Sequence, residues 1–346
     1  MSGKICYMIR FFENYSLKRL NTFGIPATAR YFFEFTEPAD LQEFMISNLY
    51  KANDIRMVIG GGSNLLFLND FGGLILFPNI PGISIEREDR NHIWVRAGAG
   101  VVWDDFVADV VREGWGGVEN LSLIPGRVGA AAVQNIGAYG QEVADVIESV
   151  TGIELLTGEG MLIGSDQCGF GYRNSIFKNE LKNSFIITSV LFRLYKFPVL
   201  LTGYHGVAEA IQHITAPCIS DVRNAVISVR RSKLPDPEII GNAGSFFKNP
   251  EVDTAQAERL KREFANVPIY PTASDNQVKL SAGWLIDQCG WKGARRGGAG
   301  VHHNHALVLV NYGDATGEQI FRLSEEIRLS VLENFGVNLE REVIVV

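Results

Sequence analysis

Residues 117–140 read GVENLSLIPGRVGAAAVQNIGAYG, a run of small residues with almost no charge. Such a stretch lets backbone lie flat against a large planar or phosphate-bearing ligand, because no bulky side chain stands between them. Small residues also serve tight helix–sheet packing, so the run alone leaves two readings. A second glycine loop, Gly60-Gly61-Gly62-Ser63-Asn64, follows the apolar Met57-Val58-Ile59 and precedes the strand-like LLFL. It is not a dinucleotide fingerprint, which needs G-x-G-x-x-G opening a helix, nor a Walker loop, which needs Gly-Lys-Ser/Thr at its end. What remains is a strand–loop–strand turn whose successive N–H groups form either an anion nest or an ordinary Gly-rich turn. Two such loops in one chain are a stronger sign of a ligand than either alone.

Outward from these loops the chain alternates strand-like and helix-like segments. ARYFFEFT (29–36) is aromatic and β-prone, and Pro38 opens a segment with Leu41, Phe44, Met45 and Leu49 at helical spacing. HIWVRA (92–97) reads as a strand, and Phe106, Val107, Val110 and Val111 form a helical stripe closed by Gly114. The Pro-rich SKLPDPEIIGNAGS (232–245) marks a domain boundary. Beyond it the spacing predicts helices over 254–265 and 282–289, and a strand ALVLVN over 306–311. A long helix is expected from Thr316, with Gln319 at capping-box spacing and Gly336 as its stop. The tail, 337–346, reads as a closing strand that returns to the first domain.

Composition bounds the function. The 346 residues suggest two or three domains, and 36 glycines are about 10% of the chain against an ordinary share of about 7%. A net charge of −7 lacks the basic footprint that nucleic acid or an anionic membrane demands. Cys6, Cys168, Cys218 and Cys289 are far apart with no C-x-x-C pair, so a reducing compartment is expected. MSGKICYMIRFFENYS has no clean signal-peptide core, and no apolar run approaches the ~18 residues of a membrane helix. These features predict a cytoplasmic chain with no membrane insertion.

Four further segments carry candidate chemistry. In GFGYRNSIFK (169–178), Arg173 suits a bidentate clamp on carboxylate or phosphate. In KLPDPEIIGNAGSFFKNP (233–250), Ser245 follows Gly244 without the G-x-S-x-G elbow of a hydrolase, so its hydroxyl reads as a proton donor or ligand contact, or as a turn serine. In VHHNHALVLVN (301–311), His303 and His305 are expected on one strand face, but with no H-E-x-x-H pattern and no neighbouring carboxylates no metal site is assigned. LEREVIVV (339–346) puts Glu340 and Glu342 on one face of the terminal strand.

Together, NTFGI (21–25), GGGSNLLF (60–67), NLSLIPGRVGAAAVQNIGAYG (120–140), FGYRNSIFK (170–178), KLPDP (233–237), GNAGSFFKNP (241–250), AGWLIDQCGWKG (282–293) and LEREV (339–343) occur in an order that resembles the MurB family of UDP-N-acetylenolpyruvoylglucosamine reductases, in its longer, type I form. The resemblance runs from about residue 20 to the C-terminus. It implies an α+β fold of the vanillyl-alcohol-oxidase/PCMH type: two α+β FAD-binding subdomains plus a C-terminal α/β substrate-binding domain. The implied boundaries are 1–80, joined by the strand 337–346, then 81–234, then 235–336.

The same resemblance implies tightly but non-covalently bound FAD, NADPH as hydride donor, and a monomer. The substrate is UDP-N-acetylglucosamine enolpyruvate, reduced to UDP-N-acetylmuramate for peptidoglycan synthesis. Hydride from reduced flavin goes to the CH₂ end of the enolpyruvyl ether, and Ser245 protonates the neighbouring carbon. Arg173 and Glu342 match the other two active-site positions. FAD falls to Gly60, Gly61, Gly62, Ser63, Asn64, Leu65, Asn120, Ile124, Pro125, Gly126, Val128, Gly129, Ala130, Gln134, Asn135, Gly137, Ala138 and Tyr139. Lys233, Asn249 and Lys292 match contacts to the nucleotide sugar or NADPH phosphates, Tyr204 matches a loop tyrosine that covers the substrate, and His305 stands where an amide is common. Arg127 replaces a small residue of the family pattern: pointing at the flavin it crowds the site, and pointing outward it is harmless. Two rivals are another FAD enzyme of the same fold that reacts with oxygen, and a nucleotide-sugar binder that has lost its flavin.

Overall fold

The computed structural model describes residues 10–204, 206–272, 274 and 276–346; Cys6 and most of the N-terminal stretch searched for a signal peptide lie outside them. The described residues form two compact units, one within 10–15, 28–61 and 71–232, the other within 16–27, 62–70 and 233–346.

The first unit holds two sheets. In one, strand Phe71–Pro78 lies between Thr28–Phe35 and Arg56–Val58, parallel to both, with Arg10–Ser16 at the edge. Parallel pairing requires a crossover, and the helices Pro38–Met45 and Asn48–Lys51 supply it. Leu41, Phe44 and Met45 are buried as the helical spacing predicts, with Phe44 stacked on Phe33 at 3.9 Å between ring centroids. Leu49 is not: the helix breaks at Ile46–Ser47, where the Ser47 hydroxyl caps a new four-residue helix, and Leu49 turns outward.

The second sheet of this unit is antiparallel, Gly160–Gly164, Ile147–Glu154, Phe185–Tyr195, His92–Gly98 and Ile83–Glu88 in spatial order. Helix Trp103–Arg112 lays its expected stripe, Phe106, Val107, Val110 and Val111, into a core with Val95, Val190 and Phe192. Residues 120–140 run over this core as a short helix, Val128–Gln134, and a two-residue hairpin, Gly137–Ala138 with Gln141–Glu142.

The second unit is assembled from three pieces of chain. Its main sheet orders Gly241–Ser245, Val308–Asn311, Ala299–Val301 and Arg295–Arg296, all antiparallel. Residues 16–27 join it because Asn21 organises a turn, donating to the Leu17 and Ile25 carbonyls at 2.9 Å each and accepting from the Ile25 N–H. The turn offers the Thr22 carbonyl to the Asn242 N–H at 3.0 Å and the Phe23 carbonyl to Asn311 Nδ2 at 2.9 Å. Helices Thr254–Glu263, Ala282–Gln288 and Gly317–Phe335 follow the predicted spans, the last with its Thr316–Gln319 capping box and Gly336 at φ 64°.

Two expectations fail here. The strand after the histidines is only Val308–Asn311, so His303 and His305 lie in the connection from Ala299–Val301 and share no strand face. The tail forms only a two-residue strand, Ile344–Val345, parallel to Leu65–Leu66, so Glu340 and Glu342 precede it and do not lie on one strand face. Among the described residues, no helix is long and apolar enough to cross a membrane.

Candidate functional site

In the first unit the two glycine-rich segments meet backbone to backbone. A Cβ on Gly61 would stand 3.0 Å from the Gly126 Cα, and one on Gly60 would stand 2.9 Å from the Ala130 Cβ. The small residues therefore serve first to let these segments touch, the packing role that competes with direct ligand contact. The short helix is sewn down at its start: Val128 donates to the Val101 carbonyl at 2.9 Å and Gly129 to the Ala99 carbonyl at 3.1 Å. Those two N–H groups are thus taken up by the fold.

Flanking this helix, Asn120 is fully buried and donates through Nδ2 to the Tyr139 and Leu201 carbonyls at 2.9 Å each. Its Oδ1 has no partner among the described residues. Asn135, also fully buried, ties the segment together, donating to Glu142 Oε2 and the Gly171 carbonyl at 2.8 Å and accepting from the Ala144 N–H at 3.1 Å. Gln134 Oε1 accepts from Lys178 Nζ at 3.0 Å, and the same ammonium donates to the Arg173 carbonyl at 3.1 Å.

Arg173 sits in the turn bounded by the Gly171–Asn174 pair, at φ 54°. Its guanidinium donates to the Gly137 carbonyl and lies 3.9 Å from Glu142, so Arg173, Gln134, Asn135 and Gly137 are brought together. Of six described non-glycine residues with positive φ, four are Leu123, Asn135, Tyr139 and Arg173. Backbone held in such sparsely populated conformations costs about 1–3 kcal/mol per residue and concentrates at functional sites. Tyr204 is half-exposed, with its ring edge-on to Tyr139 at 5.8 Å.

Sequence reading missed a polar cluster on helix Ile219–Lys233. Arg230 donates through Nε to the Leu123 carbonyl at 3.3 Å, and its charge acts on the Tyr139 phenol. Arg223, two turns earlier, grips Asp104. The seven-residue spacing of two arginines on one helix face was the available signal. Burial pushes the Tyr139 phenol up, and the charge of Arg230 opposes it.

Arg127 is anchored away from open solvent: it donates to Asn79 Oδ1 at 2.7 Å and to the Gly100 carbonyl, and lies 4.8 Å from the Phe77 ring centre. Burial holds its guanidinium below the usual range, with the Glu34 charge opposing.

In the second unit, Ser245 ends the strand Gly241–Ser245 at a bulge. The register against Val308–Asn311 slips between Asn242 and Ser245, and Gly244 takes φ 67°, a conformation that disfavours any side chain. Asn242 fixes the bulge, accepting from the Gly244 N–H at 3.0 Å and donating to the Pro235 carbonyl at 3.1 Å. Bulges of this kind re-aim one side chain out of the alternating pattern.

The tail then passes alongside. Glu342 donates its N–H to the Phe246 carbonyl at 2.8 Å, and Asn64 Nδ2 donates to the Glu342 carbonyl at 3.1 Å. Ser245, Glu342, Asn64 and Leu65 are thus brought together, while Glu340 pairs with Lys248 and is solvated. Of the other residues, Asn249 accepts from the Ala282 N–H at 3.0 Å, Lys292 lies 3.4 Å from Asp287, and Lys233 is exposed at its helix end. His305 donates its backbone N–H to the His302 carbonyl at 3.3 Å.

Residues 236–346 match the family model of the UDP-N-acetylenolpyruvoylglucosamine reductase C-terminal domain, and residues 29–165 match that of an FAD binding domain. The reductase of that name from Amoebophilus asiaticus is 46% identical over 333 residues, spanning 96% of this chain and 98% of the relative. This chain belongs to the UDP-N-acetylenolpyruvoylglucosamine reductase family. The reductase from Chromobacterium violaceum is equally similar, 46% identical over 337 residues and 98% of its length.

The crystal structure of the family's enzyme from Thermus caldophilus superposes with a TM-score of 0.67 at 24% identity, over 97% of this chain and 98% of that one. The 6-hydroxy-D-nicotine oxidase of Arthrobacter nicotinovorans superposes at 0.52 and 13% identity, over 98% and 88%. These likenesses carry the fold, the mixed α and β vanillyl-alcohol-oxidase type expected from the sequence. The chain is thus an FAD-dependent oxidoreductase of the reductase family.

Proposed function

We propose that this chain reduces UDP-N-acetylglucosamine enolpyruvate to UDP-N-acetylmuramate in the cytoplasm, with NADPH as electron source, for peptidoglycan synthesis. The observation that carries the reading is the bulge at Ser245 with the Glu342 segment bonded beside it, a hydroxyl and a carboxyl held by backbone on one framework. On this reading 1–80, joined by the strand 337–346, and 81–234 are the two FAD-binding subdomains, and 235–336 is the substrate domain.

The residues present fit FAD. Asn120 offers a buried acceptor with no partner among the described residues, beside segments where backbone meets backbone. Residues 60–65 and 120–139 would hold the cofactor. FAD, when bound, would supply hydride-transfer chemistry toward the CH₂ end of the enolpyruvyl ether, with NADPH as the electron source. Ser245 holds the proton for the adjacent carbon at its Oγ; a hydroxyl is a weak acid, but a carbanionic carbon is far more basic. Arg173 faces the negative charge spreading into the substrate carboxylate, a preorganised donor worth about 3 kcal/mol. Glu342 completes the active-site set of this reading. Lys233, Asn249, Lys292, Tyr204 and His305 hold the nucleotide sugar.

The anaerobic visible spectrum of purified protein tests this. A flavin band that bleaches with NADPH and returns with the enolpyruvyl sugar is expected. A band that bleaches but returns only with oxygen overturns the substrate in favour of an oxidase.

A further inference from the structure

Asp104 lies in the first turn of helix Trp103–Arg112, and no substrate or cofactor role has been assigned to it. Its carboxylate accepts both guanidinium nitrogens of Arg223, at 2.7 and 3.0 Å, and the N–H of Leu123 at 2.5 Å. The pair is largely shielded, with 26% of the Asp104 side chain and 14% of the Arg223 side chain exposed. Burial alone would raise the pKa of Asp104, but the Arg223 and Leu123 hydrogen bonds and the nearby charge of Arg230 hold it below the usual range.

The peptide it grips is unusual. Leu123 stands at φ 58°, where a leucine carries a backbone penalty, and both its polar groups are pinned. Its N–H goes to Asp104 and its carbonyl to Arg230 Nε, so the residue is clamped between two helices. From Leu123 the chain runs directly into Pro125-Gly126, where the Gly126 carbonyl accepts from the Trp103 N–H at 3.0 Å and its Cα meets Gly61. The charge of Arg230 also acts on the phenol of Tyr139, which stands at φ 50° with its carbonyl held by Asn120. The Asp104 carboxylate thus holds the Leu123 end of segment 123–139 directly, and its charge acts on Arg230, which holds the other side of the same peptide.

We infer that Asp104 is a positioning residue for the cofactor: through the Leu123 peptide and Arg230 it holds segment 123–139 in the shape that receives FAD. The inference rests on the assignment of 120–139 to FAD. Groups that orient a binding shell from behind it alter affinity by about 10- to 100-fold when removed.

The test compares Asp104→Asn, Arg223→Gln and Arg223→Lys with wild type in FAD affinity of the reconstituted apoprotein, visible circular dichroism of bound flavin, and melting temperature of the apoprotein. Arg96→Gln is the control, since Arg96 pairs with Glu86, Thr151 and Ser189 within the five-stranded sheet, outside the 123–139 segment. Asp104→Asn and Arg223→Gln are expected to weaken FAD binding about tenfold or more and to change the flavin dichroism, with Arg223→Lys, which keeps the charge but loses the fork, recovering part of both. Arg96→Gln is expected to lower the melting temperature alone. Wild-type FAD affinity and dichroism in Asp104→Asn and Arg223→Gln, with only the melting temperature lowered, would overturn the proposal. Should Asp104→Asn fail to fold, the two Arg223 variants decide it. A wild-type protein that takes up no FAD would instead sink the cofactor assignment on which the proposal stands.

Discussion

The backbone N–H of Glu342 donates to the carbonyl of Phe246, the residue next to Ser245, at 2.8 Å. The carbonyl of Glu342 in turn accepts from the side chain of Asn64 at 3.1 Å. Glu342 is therefore fixed on both sides of its peptide, and the glycine-rich loop contributes to the fixing. Asn64→Ala removes one neutral hydrogen bond, so urea unfolding should show a loss of about 1 kcal/mol. Substrate turnover should fall through kcat more than through KM, because Glu342 is loosened and not removed.

Arg173 holds its side chain against the Gly137 carbonyl from a backbone at φ 54°. Lysine keeps the charge but lacks the planar fork. Arg173→Lys should slow flavin reoxidation by the enolpyruvyl sugar about 100-fold, the weight of one preorganised donor, while reduction by NADPH proceeds at close to the wild-type rate. Stopped-flow absorbance of the two half-reactions checks this.

The guanidinium of Arg127 is engaged by Asn79, Gly100 and Phe77. Arg127→Ala strands two acceptors and removes a stacked side chain, so a loss of about 1–3 kcal/mol is expected in chemical denaturation.

Much of this architecture was legible because local signals agreed with tertiary need. The Thr316–Gln319 box and Gly336 bracket a helix that forms as read, and the Phe106–Val111 stripe faces the core it implied. The histidine segment misled because the apolar ALVLVN was read as one strand continuing from the histidines, whereas residues 302–307 form the connection between two paired strands, Ala299–Val301 and Val308–Asn311. Leu49 misled because helical spacing ignores the Ser47 cap that restarts the helix. The attachment of residues 16–27 to the second unit depends on the Asn21 side chain bonding its own turn, and nothing in composition announces that. At the candidate site, the loop residues were readable as motifs. Asp104 and Arg230 were not, because their roles come from two helices that meet only in the fold.

His302 is 6% exposed, its Nδ1 has no partner among the described residues, and the His303 ring lies 4.4 Å away. Burial, then the charge of His303, pushes its pKa down, so the folded protein keeps it neutral while the unfolded chain protonates near pH 6.5. The unfolded state thus binds more protons below that pH, and stability must fall on acidification. The urea midpoint should drop between about pH 7 and pH 5.5, and His302→Asn should flatten that slope.

Ser245 as the proton donor is the central claim, and it separates the two half-reactions. Anaerobic stopped-flow of Ser245→Ala against wild type follows the flavin band, first with NADPH and then with UDP-N-acetylglucosamine enolpyruvate. The predicted result is flavin reduction at close to the wild-type rate and reoxidation slowed by about 100-fold or more, because the acid acts only in the second step. Equal damage to both steps, or reoxidation at the wild-type rate, would contradict it.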